Sequence, residues 1–222
     1  MERHFEASLR DLKNQLVLMA GHVERAIGNA IEGLKKKDFT LISSVYAIED
    51  TINQESMTLD ETCVKLLALH QPLAADLRLL IAIIKMNTDL ERMGDLAVNI
   101  AHDSEDYLQG TPLKQLVNLP IMCAEVQGMV RESINSFVSK NEKLADEVLQ
   151  RDDLVDNLKS KIKNDVAEVL KTRPHDVNQG LHLILIARHL ERIGDHATNI
   201  AEDVIYVISG KDIRHGHVAR TK

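Results

Sequence analysis

The 222-residue chain has no tryptophan, three tyrosines and three phenylalanines, so aromatics make up only 3% of it. Four prolines and ten glycines are all that interrupt it. β-Sandwiches and barrels need aromatic and β-branched strands with frequent turn residues. This composition, rich in Leu, Ile, Val and Ala, argues instead for long packed helices. A positive charge excess is also missing. The net charge is −7, which excludes a general nucleic-acid binder. The longest apolar run, Leu79 to Ile84, is too short to span a bilayer. The opening Met1-Glu-Arg-His-Phe-Glu has no apolar run and is not expected to be a signal peptide. Cys63 and Cys123 have apolar neighbours and no CxxC spacing, as expected of buried thiols in a reducing cytosol. No nucleophile motif, Gly-rich phosphate loop or Walker lysine occurs, and no enzymatic activity is expected. Phosphate would have to be held through a metal or a basic edge.

What is present is one stretch written twice. Leu90 to Asp103 reads LERMGDLAVNIAHD, and Leu190 to Asp203 reads LERIGDHATNIAED. Ten of the fourteen positions are identical, 100 residues apart, which makes this an internal repeat. Each copy carries three oxygen-bearing residues at a spacing of four: Glu91, Asp95 and Asn99, then Glu191, Asp195 and Asn199. On a helix such a series forms a stripe about 12 Å long that drifts by about 40° per step.

Apolar residues at Leu9, Leu12, Leu16, Met19, Val23, Ile27, Ala30 and Leu34 follow a heptad seam and predict a first helix over 4–36. Asp38 is placed to cap a second helix over 39–69. His70-Gln71-Pro72 breaks that helix, and Pro72 suits the first turn of a third, which runs to Gln109 and stops at Gly110. The second half repeats the plan over 112–139 (with Pro120 as an alternative start), 142–171 and 176–209, with Gly210 equivalent to Gly110. The expected fold is all-α: two tandem three-helix bundles, 1–110 and 111–210, made of six long antiparallel helices. The tail, 211–222, has few apolar residues and is expected to be partly mobile.

A cation needs oxygen donors from more than one direction. Aligning Ala47-Ile-Glu-Asp-Thr-Ile-Asn-Gln with Gln150-Arg-Asp-Asp-Leu-Val-Asp-Asn pairs Glu49 with Asp152 and Asn53 with Asp156. Each half then has facing oxygen pairs on its second and third helices. These could hold a hard or borderline cation: Fe, Mn, Zn, Mg or Ca. Asn53 brings no charge, so the second site is expected to be the stronger. Solvated acidic faces of this spacing are common, and a docking face is the rival reading. Gly94 and Gly194 in mid-helix each cost about 1 kcal/mol relative to Ala, which predicts close approach of another helix or a ligand. Arg92 and Arg192 point to a different face and are expected to pair with acids on neighbouring helices. His102, His182, His189 and His196 lie near the stripes. The Glu-x-x-His spacing of di-metal oxidases is absent, so they are read as surface or interface residues.

LERMGD and LERIGD with their trailing Asn-Ile, QPLAADLRL at Gln71 to Leu79, and GKDIRH at Gly210 to His215 together resemble the PhoU family over nearly the whole chain. The resemblance implies tandem three-helix bundles, a cytoplasmic location and a homodimer. It implies negative regulation of the phosphate-starvation response, with the sensor histidine kinase PhoR and the transporter ATPase PstB as partners in a membrane-associated complex. It further implies multinuclear iron or zinc at Glu/Asp-x-x-x-Asp motifs. These fall on Glu91 and Asp95, Glu191 and Asp195, and Asp152 and Asp156. Glu49 with Asn53 departs from the pattern.

Overall fold

The computed structural model describes residues 2–113, 118–210 and 213. They form seven α-helices and one 3-10 turn, with no strand among them. In chain order these are α1 (Glu2–Lys36), α2 (Phe39–His70), α3 (Ala74–Gln109), α4 (Asn118–Ser139), α5 (Glu142–Gln150), α6 (Asp152–Thr172), the 3-10 turn (Pro174–Asp176) and α7 (Val177–Ser209). None of the helices is long and apolar enough to cross a membrane. The expected mobile tail lies outside the described residues, apart from Ile213, which packs against the core.

The heptad residues of α1 from Leu12 to Leu34 are buried, and α1, α2 and α3 pack on one another as the first bundle. Asp38 caps α2, its Oδ1 accepting from the Thr40 and Leu41 amides at 2.9 and 3.3 Å. Helices α4 to α7 form the second bundle, in which α5 and α6 together take the place of α2. The bundles meet through α3 on α7 and α1 on α4, so one hydrophobic core runs through both.

Three expectations are corrected. Pro72 lies ahead of α3 rather than in its first turn. Gln71 ends α2 in the left-handed region (φ 44°), and the extended Leu73 becomes the residue before α3. Residues 112 and 113 are not part of the fourth helix, which is described from Asn118, close to the alternative start at Pro120: the buried Tyr107 hydroxyl accepts from the Leu113 amide at 2.8 Å and ties this stretch to α3. The fifth helix is broken in two at Arg151. There the amide bonds back to Val148 O at 3.1 Å, a 3-10 step, while the Arg151 carbonyl accepts from Leu154 and Val155 to start α6. The guanidinium pulls this turn onto α4, bonding Glu125 at 2.7 Å and Glu132 at 2.6 Å.

The equivalent glycines end their helices for different reasons. Gly210 is left-handed (φ 71°), a conformation glycine adopts without strain. Gly110 is extended, and a Cβ there would collide with the Gln179 side chain.

Candidate functional site

The break at Arg151 gives the second half its local character. Asp152 and Asp153 occupy the first turn of α6, where the helix dipole favours negative charge. Asp156 follows one turn on, and α7 brings Glu191 and Asp195 to the same face. Burial first, then the charges of Asp156, Asp153 and Glu191, push the Asp152 carboxyl up from its ordinary range. Burial, then Glu191, Asp152 and Asp156, does the same to Asp195. The four carboxylates therefore form one electrostatic cluster. Lys159 sits among them, with Nζ 2.8 Å from Asp156 Oδ1 and 2.5 Å from Glu191 Oε1. Its hydrogen bonds to Asp156 and then Glu191 hold the ammonium up at about 12.

As a donor set, four carboxylates from two helices suit a hard cation. Among the described residues, no three His, Cys, Asp or Glu side chains converge closely enough to ligate one ion as they stand. In this half the Lys159 ammonium bridges two of the carboxylates, and they can close on an ion only when it swings away.

The first half arranges its equivalents differently. Glu49 lies in the middle of an unbroken α2, and Asn53 Nδ2 donates to its Oε1 at 2.5 Å. Arg92 pairs with Asp95 of its own helix at 3.1 Å, not with an acid on a neighbouring helix, because three residues along a helix already bring the two side chains together. Glu91 is half-buried and Asn99 exposed. Two of the three acids thus already have a polar partner, and the set is poorer in free charge. Close helix approach at the glycines is as expected, and tighter here. A Cβ on Gly94 would lie 3.2 Å from Ile52 of α2, whereas one on Gly194 would make ordinary contact with Val155 at 3.6 Å.

Between the bundles, α3 and α7 run antiparallel, and their polar residues pair across the seam. Lys85 meets Asp203 at 2.8 Å and Asp89 meets His196 at 2.8 Å. Asn199 also reaches Asp89, at 3.4 Å, so the last position of the second stripe lies at this seam. Asp103 receives His182 on one oxygen at 3.1 Å and His189 on the other at 3.2 Å. Burial alone would raise Asp103, but the hydrogen bonds from His189 and His182 outweigh it and hold the carboxyl below its usual range. Sequence reasoning did not find this network. The paired residues are 79 to 118 apart in the chain, and only the approximate two-fold relation of the repeats brings them together.

A family model described as PhoU domain matches the chain twice, over residues 16–104 and 119–204. Among curated proteins, the chain is similar to a phosphate-specific transport system accessory protein PhoU homolog of Pseudomonas aeruginosa. The two are 37% identical over 100% of this chain and 92% of the relative. A homolog of the same description from Aquifex aeolicus is 38% identical over 95% of each. Among solved structures, PhoU from Pseudomonas aeruginosa superposes with a TM-score of 0.89 at 38% identity, covering 93% of this chain and 100% of that one. PhoU from Streptococcus pneumoniae gives 0.85 at 26% identity, covering 94% and 98%. With both repeats matched and the likeness extending over the full length, the chain belongs to the PhoU family.

Proposed function

We propose that this protein is a non-enzymatic, cytoplasmic negative regulator of the phosphate-starvation response. It couples the phosphate ABC transporter to a sensor histidine kinase, working as a homodimer that reaches the membrane through its partners, the kinase PhoR and the ATPase PstB. The observation that carries this reading is the full-length likeness to accessory proteins of the phosphate-specific transport system. Helices of more than thirty residues give the long rigid faces on which such docking depends. The test is capture of the kinase and the ATPase by tagged full-length protein from phosphate-replete cells. Failure to capture either, with the bait folded, overturns the proposal.

The acid cluster of the second half favours a second reading, binding or storage of metal. Asp152, Asp156, Glu191 and Asp195 would hold iron or zinc, or else manganese, magnesium or calcium. Glu49, Asn53, Glu91 and Asp95 would form a weaker first site, with Asn99 and Asn199 at the ends of the stripes. Such a cation would supply positive charge that ties α6 to α7. The chain's own part is to present carboxylates from both helices and to withdraw Lys159.

A further inference from the structure

Beside the acid cluster, where α6 meets α7, lies a groove of about 380 Å³ whose lining includes Lys159, Ser160, Lys163, Arg188 and Glu191 over an apolar floor of Ile184 and Ala187. We infer that this groove binds a tetrahedral oxyanion of the phosphate type, held by Lys163, Arg188 and the Ser160 hydroxyl. Lys163 lies one turn beyond Lys159 on α6, and Arg188 one turn before Glu191 on α7, so the helical period brings the cations to the same face. The one acid in the lining, Glu191, is bonded to Lys159. Among the described residues neither Lys163 nor Arg188 makes an ion pair, and both are exposed. At about 30 Å³ per water, the groove has room for the ion with part of its hydration shell. An arginine fork and an ammonium are the side chains that recognise such oxygens, one by paired hydrogen bonds and one as a point charge.

The repeat provides an internal control. In the aligned first half, Ser56 stands for Lys159, Asp60 for Lys163 and Thr88 for Arg188, while Glu91 matches Glu191. There the buried Asn87 donates to Asp60 at 2.9 Å and to the Ser56 hydroxyl at 3.0 Å. The bundle therefore folds without cations at these positions. Their presence in the second half alone is not a requirement of packing.

Lys159 links the groove to the neighbouring acids. While it is bonded to Asp156 and Glu191, it screens their charge but contributes little to an anion. Removing those two charges releases it to the groove.

The test is equilibrium dialysis of the full-length protein against radiolabelled inorganic phosphate in metal-free, low-salt buffer. Saturable binding is expected, lost in Lys163→Gln/Arg188→Gln with the melting temperature unchanged. Binding should tighten about tenfold in Asp156→Asn/Glu191→Gln. Competition with phenyl phosphate separates two sources. Stronger displacement than by inorganic phosphate points to a phosphoryl group on a partner, and weaker displacement to the free ion. No saturable binding, or binding that survives Lys163→Gln/Arg188→Gln, overturns the inference. Its chemistry does not rest on the regulatory proposal. Partner capture without phosphate binding overturns the groove alone, and phosphate binding without partner capture overturns the regulatory reading alone.

Discussion

Gly128 of α4 leaves the space that the Arg151 guanidinium fills: a Cβ on Gly128 would lie 2.6 Å from Nη2. Glu125 and Glu132 flank that glycine on the same helix face and hold the guanidinium from either side. The turn between α5 and α6 is thereby fastened to α4 through a charged head group rather than an apolar contact.

Gly128→Ala should destabilise the protein although alanine is the better helix former. The propensity gain is about 1 kcal/mol. Displacing Arg151 from two carboxylates costs more, for a net loss of about 1–2 kcal/mol. Arg151→Ala should behave alike, and the double variant should be less than additive because both act on one contact. Urea unfolding of the four proteins measures this. Additive losses would mean that the glycine and the arginine act separately.

Metal content should depend on the second half. Elemental analysis of purified protein, after incubation with Fe, Mn or Zn salts, should find metal that is lost in Asp152→Ala/Asp156→Ala/Glu191→Ala/Asp195→Ala. Asn53→Asp should add capacity in the first half, since it removes the amide now bonded to Glu49 and supplies a charge. Metal retained in the fourfold variant would leave the acids as a docking face.

Asp103 makes the seam acid-sensitive. Its folded carboxyl titrates below the unfolded value, which is near 3.9. Its stabilising contribution is therefore complete above that pH and is lost as the pH falls through the lower, folded value. Thermal melting from pH 6 downwards should show wild type losing stability more steeply below about pH 4 than Asp103→Asn. Parallel profiles would show that the carboxylate gains nothing from His182 and His189.

The thiols should be silent in the native state. Burial first, then Asp60, raises Cys63 to about 12, and burial, then Glu32, raises Cys123 to about 12. Almost no thiolate exists at pH 8 to attack a reagent. Ellman's reagent should find both thiols only after denaturant is added. Rapid native labelling of either would contradict their burial.

The helices and the repeat were legible because periodicity and caps are local signals. Asp38 and the α1 seam needed only their neighbours in sequence. The break at Arg151 was not legible, since Gln150-Arg151-Asp152 contains no Gly or Pro. Its cause lies in Glu125 and Glu132, 26 and 19 residues earlier. The acid cluster was legible as a composition, by matching the two halves. The role of Lys159 was not drawn from it, although its spacing of three from Asp156 was visible. The sequence leaves the seam histidines as surface or interface residues, and their partners follow only from the antiparallel run of α3 and α7.

That antiparallel pairing has a consequence for recognition. The backbone repeats itself about an approximate two-fold axis, but its charges do not. One half presents Asn53 and Asp60 where the other presents Asp156 and Lys163. A shape that looks the same after half a turn, painted differently on its two ends, can be read by a partner in only one direction.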